Sequence, residues 1–179
     1  MEDLEIITKV MDQHELLQEH LGSVSSIMSD RRALSLIEEA KDELGVNWRL
    51  SLTQRREYLI ASLLTVEQGM KSHYEFEEEM LPPLYGELLT RALIVEHSEL
   101  IDSMRETIEA ISALSFEKLN HQEELEMEAL ISTTLGALRD KKLDHQRREE
   151  AVLVTLRRIL EEQARNRGEA EDRAAVGSK

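Results

Sequence analysis

Histidine and glutamate recur in this sequence at a spacing that suits metal chemistry. The pattern His-x-x-x-Glu-Glu occurs twice, as His73…Glu77-Glu78 and as His145…Glu149-Glu150. A His and a Glu four residues apart on a helix point the same way, one turn apart. A single such pair is usually a surface feature. Two of them, on the inward faces of different helices, can meet across a bundle core. Buried imidazoles and carboxylates need strong partners, and a metal ion satisfies several at once.

Four long helices and one short one carry these residues. Apolar residues at three- and four-residue steps (Ile7, Val10, Met11, Leu17, Leu21, Val24, Met28) predict a first helix from about Asp3 to Met28. Ser29-Asp30 offers a cap for a short helix from about Arg31 to Leu44, closed by Gly45. Val46–Leu50 is a connector whose Trp48 tucks against a bundle end. Ser51 or Thr53 caps a second long helix, which Pro82-Pro83 must end. The third runs from about Glu87 to Leu114, and the fourth from about Phe116 or Lys118 to about Ala164. Short connections favour antiparallel neighbours. The expected fold is all-α: an up-down-up-down four-helix bundle over residues 1–164, with a short extra helix in its first connection. Residues 165–179, charged and with little to bury, are expected to be a disordered tail. The halves of the chain resemble each other, each pairing a helix with one inward His and a helix bearing His-x-x-x-Glu-Glu.

Helical wheels at roughly 100° per residue place His14 within the first apolar stripe. His73 and Glu77 fall among Leu59, Leu63, Val66, Met70 and Met80; His97 falls with Leu93, Leu100, Met104 and Ile111. His145 and Glu149 fall with Met127, Ile131, Leu138, Val152, Leu156 and Ile159. Glu78 and Glu150 turn away from the core centre, His20 and His121 read as surface residues, and Tyr74 as packing at a stripe edge. Taken singly, His14 or His97 would be a hydrogen-bonded core residue. Together, His14, His73, Glu77, His97, His145 and Glu149 are hard to bury without a metal.

The bulk composition narrows the alternatives. Lys plus Arg is 22 and Asp plus Glu is 37, a net charge of −15. Nucleic acid and anionic membrane surfaces reward basic patches and are disfavoured as partners. There are no cysteines, which excludes disulfides, thiolate sites and Cys nucleophiles. No apolar run is long enough to span a membrane, and Met-Glu-Asp lacks signal-peptide character, so a cytoplasmic protein is expected. Structural zinc sites favour Cys and close at four ligands. Calcium and magnesium prefer oxygen. Imidazole with carboxylate suits iron, and manganese less well. Four His and two carboxylates are generous for one ion and natural for two. No Glu lies three residues before any histidine, which argues against the ferritin-like Glu-x-x-His group.

From about Met1 to Gln163 the chain resembles the hemerythrin-like family of HHE cation-binding domains. The resemblance rests on His14, His73-Tyr-Glu-Phe-Glu77-Glu-Glu-Met-Leu-Pro, Glu96-His97 and His145-Gln-Arg-Arg-Glu149-Glu. It implies a non-haem centre of two iron ions. His14 and His73 would bind one iron, His97 and His145 the other, with Glu77, Glu149 and an oxo or hydroxo group as bridges. Oxygen carriers of the family have a further His one turn after the third helix's ligand; here that position is Ile101. The fourth helix places its carboxylate four residues after His145, as in several non-carrier relatives, rather than five. The resemblance thus implies an open centre that binds or reacts with O2, peroxide or nitric oxide. The alternative is an iron- or oxygen-responsive sensor whose di-iron site controls a protein partner. No separate general base stands out, so enzyme, carrier and sensor stay open. A small core leaves no cavity for stored mineral.

Overall fold

The computed structural model of the chain describes residues 2–29, 52–115 and 119–176. The short helix expected at 31–44, the 46–50 connector with Trp48, and the Ser51 cap lie outside the described residues. Four helices are seen among those described: α1 (Asp3–Ser29), α2 (Leu52–Met80), α3 (Pro82–Ala113) and α4 (His121–Val176). None is long and apolar enough to cross a membrane.

Local chemistry sets the helix boundaries. Asp3 and Glu5 stand in the first turn of α1, where carboxylates offset the positive end of the helix dipole. The α2 helix stops at Met80, and only Leu81 separates it from Pro82. The prolines that end α2 also begin α3, at positions where a missing N–H costs nothing. Helical turns therefore start before the expected Glu87. They are interrupted at Gly86, whose φ of 70° and ψ of 171° belong to a region open essentially to glycine alone. The short opening turn carries Tyr85 toward the bundle axis. Asn120 caps α4: its Oδ1 accepts from the N–H of Gln122 at 2.9 Å and of Glu123 at 3.0 Å. Glu123 Oε2 accepts from the Asn120 N–H at 2.8 Å, completing a capping box that places the start later than expected.

Pair contacts establish the topology. Gln13 meets His73 while Leu17 meets Gly69, so α1 and α2 run antiparallel. Glu78 with His97 and Glu67 with Arg105 set α2 against α3 in the same way. Glu96 with His145 and Ser103 with Lys141 do so for α3 and α4. Packing of α1 on α4 closes the ring, giving an up-down-up-down bundle. A Cβ at position 69 would stand 3.3 Å from Leu17 Cδ2, so a glycine lets α1 and α2 approach closely there.

Two apolar clusters fill the interior. The larger includes Leu17, Leu63, Met70, Met104, Ile131 and Leu138; the smaller joins Ile6, Ile7, Val10, Leu81, Leu93 and Leu153. Between them lies a polar layer. Two expectations for the fourth helix need correction. Ile159, placed on the core stripe, is 45% exposed, while Leu153 is fully buried. A 3.6-residue stripe drifts around a helix this long, and α4 overhangs its partners. The helix also continues to Val176 rather than giving way near Ala164 to a disordered tail. Residues 161–168 are exposed, so the Glu-, Ala- and Arg-rich sequence sustains the helix there without a core.

Candidate metal centre

The polar layer is built by His14 from α1, His73 and Glu77 from α2, His97 from α3, and His145 and Glu149 from α4, all buried. The structure brings together all six residues singled out from the sequence. Candidate ligand atoms of Glu77, His97, His145 and Glu149 lie within 4.8 Å of one another, as do those of His14, His73 and Glu77. Glu77 belongs to both groups and stands between them. Its Oε1 is 2.9 Å from His73 Nε2 and 3.2 Å from His14 Nε2, and its Oε2 is 3.2 Å from His97 Nε2. Glu149 Oε2 is 3.2 Å from His14 Nε2 and 3.6 Å from His145 Nε2.

Each imidazole turns Nε2 inward and presents Nδ1 to an outer side chain. His73 Nδ1 pairs with Gln13 Oε1 at 3.0 Å, His97 Nδ1 with Glu78 Oε1 at 2.8 Å, and His145 Nδ1 with Glu96 Oε2 at 2.8 Å. Glu150 Oε1 lies 3.3 Å from His14 Nδ1, outside hydrogen-bonding geometry. Metal-bound histidines ordinarily engage their second nitrogen this way, which fixes tautomer and ring orientation. The inward atoms have no such partners. All four Nε2 atoms, both Glu77 oxygens and Glu149 Oε2 are buried without a hydrogen bond. Each such group carries a desolvation cost on the order of 2–7 kcal/mol. A cation accepting their lone pairs removes that cost, so the donor set fits metal ions of the imidazole–carboxylate class.

Sequence reading set Glu78 and Glu150 aside because their Cβ atoms leave the core stripe. Their carboxylates nevertheless reach back to imidazoles on neighbouring helices. Tyr85 and Lys142 were missed altogether. The Tyr85 hydroxyl donates to Glu149 Oε1 at 3.3 Å. Lys142 is 2% exposed; its ammonium donates to Gln146 Oε1, and Gln146 Nε2 donates to Glu150 Oε1 at 2.7 Å. Tyr74 stacks on His97 at 3.8 Å between centroids, closer to the centre than an edge-packing role implied. His20 is exposed, as expected, and the side chain of His121 lies outside the described residues.

Electrostatics bind the layer even without metal. Burial alone would lower the His14 pKa, but the carboxylates of Glu149 and Glu77, each 3.2 Å from its Nε2, raise it from 6.5 to about 9. Burial would likewise raise Glu77, yet the surrounding histidines hold it well below the carboxylate range. In the metal-free protein, His14 therefore contributes stability that is fully present below pH 6.5 and lost as pH rises through about 9. Burial pulls Lys142 down to about 8, an opposite contribution in part of that window. The informative quantity is the difference in unfolding free energy between wild type and His14→Gln. Denaturant titrations of metal-free protein are expected to show it shrinking between pH 6.5 and 9; a constant or growing difference would refute the pairing.

One cleft reaches the layer, and a second reaches its outer side chains. The first, of about 320 Å³ between α2 and α3, is lined by Tyr74, Glu78, His97 and Ile101, among others. The second, between α1 and α4, exposes Gln146 and Glu150. No protein-family model, curated protein or solved structure matches the chain.

Proposed function

We propose that this chain is a hemerythrin-like, non-haem di-iron protein that binds or reacts with a small oxidant: O2, peroxide or nitric oxide. The observation that carries the reading is the inward convergence of His14, His73, His97 and His145 around Glu77, with every Nε2 lacking a hydrogen-bond partner. Four imidazoles with two carboxylates suit iron better than zinc, calcium or magnesium. His14 and His73 would hold one ion, and His97 and His145 the other. Glu77 already directs one oxygen to each side, and Glu149 reaches both. Bound iron would supply redox chemistry toward the oxidant.

The chain's own residues shape access and polarity. Ile101 lines the cleft beside His97, so that position has no third imidazole one turn along α3. This supports an open centre rather than a carrier's. Tyr85 holds Glu149 by its outer oxygen, and the two apolar clusters cover the ends of the layer, leaving the cleft between α2 and α3 as the approach. Supplied with an added electron donor to return the iron to its reduced state, the iron-loaded protein is expected to consume hydrogen peroxide or nitric oxide catalytically in a stopped-flow assay. A long-lived, reversible oxygenated spectrum with no turnover would instead identify a carrier. A sensing role has one observation in its favour: His14, the one layer residue on α1, meets carboxylates of both α2 and α4, so losing metal there would loosen a tie among three helices.

A further inference from the structure

The two metal positions have different surroundings. At the His97/His145 position four candidate donors, with Glu77 and Glu149, all lie within 4.8 Å of one another; at the His14/His73 position only His14, His73 and Glu77 do, although Glu149 Oε2 also stands 3.2 Å from His14 Nε2. The outer partners differ in the same sense. His97 and His145 each present Nδ1 to a carboxylate, Glu78 and Glu96, at 2.8 Å. A carboxylate at that nitrogen raises the basicity of the coordinating one. His73 has only the neutral amide of Gln13, at 3.0 Å. His14 faces Glu150 at 3.3 Å outside hydrogen-bonding geometry, and that carboxylate oxygen already accepts from Gln146 at 2.7 Å. Behind Gln146 lies the buried ammonium of Lys142. This chain of donors holds the Glu150 carboxylate to Gln146 and leaves the His14 Nδ1 without a hydrogen-bond partner.

Resting on the dinuclear reading, we infer that the positions are unequal: His97/His145 fills first and holds its metal tightly, while His14/His73 is the weaker, exchangeable position. At limiting metal the chain would carry a single ion on the α3–α4 side. Its second site would respond to metal supply. Gln13 and Glu96 act here as positioning residues, through His73 and His145.

Anaerobic titration of the full chain with ferrous ion alone, followed by calorimetry and metal analysis, tests this. Two positions sharing Glu77 repel one another and would split even if identical, so single-position variants decide. The ion left in His73→Ala is expected to bind at least about 10-fold more tightly than the ion left in His97→Ala, the lower bound for outer-partner effects. Adding Gln13→Glu to His97→Ala should tighten the remaining site by about 10-fold or more. Mere structural disturbance would not tighten it. Equal residual affinities in the two His variants, or the reverse order, would overturn the inequality and leave the dinuclear reading intact. A wild-type chain that binds no ferrous ion would overturn both. Should either His variant lose helical content, Glu96→Gln and Gln13→Glu in the otherwise wild-type chain keep all ligands and decide the matter. The first should weaken only the tight step and the second strengthen only the weak one; any other pattern counts against the proposal.

Discussion

Glu77→Gln is expected to abolish metal binding at both positions, weakening each by more than about 100-fold, beyond the ~10–100-fold cost of losing an outer partner. The reason is geometric. Glu77 is fully buried, its two oxygens face opposite sides of the layer, and it stands within 3.2 Å of three imidazole nitrogens. An amide of the same shape keeps the packing but lacks the charge that compensates two cations, and it offers at most one acceptor. Glu149→Gln should be milder, because Glu149 offers the centre one oxygen while Tyr85 engages the other. Equilibrium dialysis with ferrous ion, alongside circular dichroism to show retained helix, measures the effect. A Glu77→Gln protein that kept one tight equivalent would mean that Glu77 is not shared.

Removing metal is expected to lower thermal stability by at least about 10 °C. Ligand at 1,000 times its dissociation constant stabilises by about 4.1 kcal/mol per site, and in a domain of this size each kcal/mol corresponds to about 2–4 °C. The loss should not be uniform. His14 ties α1 to Glu77 on α2 and to Glu149 on α4; without metal those ties reduce to charge pairs. Hydrogen exchange should therefore show α1 losing protection first, with α3 and the α2 segment around Met70 and Tyr74 retaining it. Scanning calorimetry and exchange on metal-free and iron-loaded protein check both statements. Equal stability in the two forms would place metal outside the fold's energetics, and uniform deprotection would remove the observation favouring a sensing role.

The polar layer was legible because burying a polar group interrupts an apolar stripe. His14 among Ile7, Val10 and Leu17, or His97 between Leu93 and Leu100, breaks a pattern that is otherwise continuous. Pro82-Pro83 marked the turn for an equally local reason. What surrounds those six residues was not legible. A helical wheel locates a Cβ, whereas the carboxylates of Glu78 and Glu96 travel several bonds further and meet imidazoles on other helices. Whether Gln13 faces His73 depends on the register of α1 against α2, which neither helix encodes alone. Lys142 gave no signal, since a lysine on an acidic helix reads as solvated; its burial follows from the close packing of α1 on α4. The end of α4 was misplaced because a stripe shows where a helix is buried, and α4 continues exposed beyond its partners.

The central claim is that the inward histidines and glutamates hold a pair of iron ions. Protein loaded with ferrous ion without oxygen, then exposed to air and desalted, tests it through metal analysis and an optical spectrum. The account predicts about two irons per chain, the stoichiometry of a dinuclear centre built inside a bundle, with charge-transfer absorption from a coupled ferric pair. Retention of zinc in preference to iron, or of no metal at all, would contradict it.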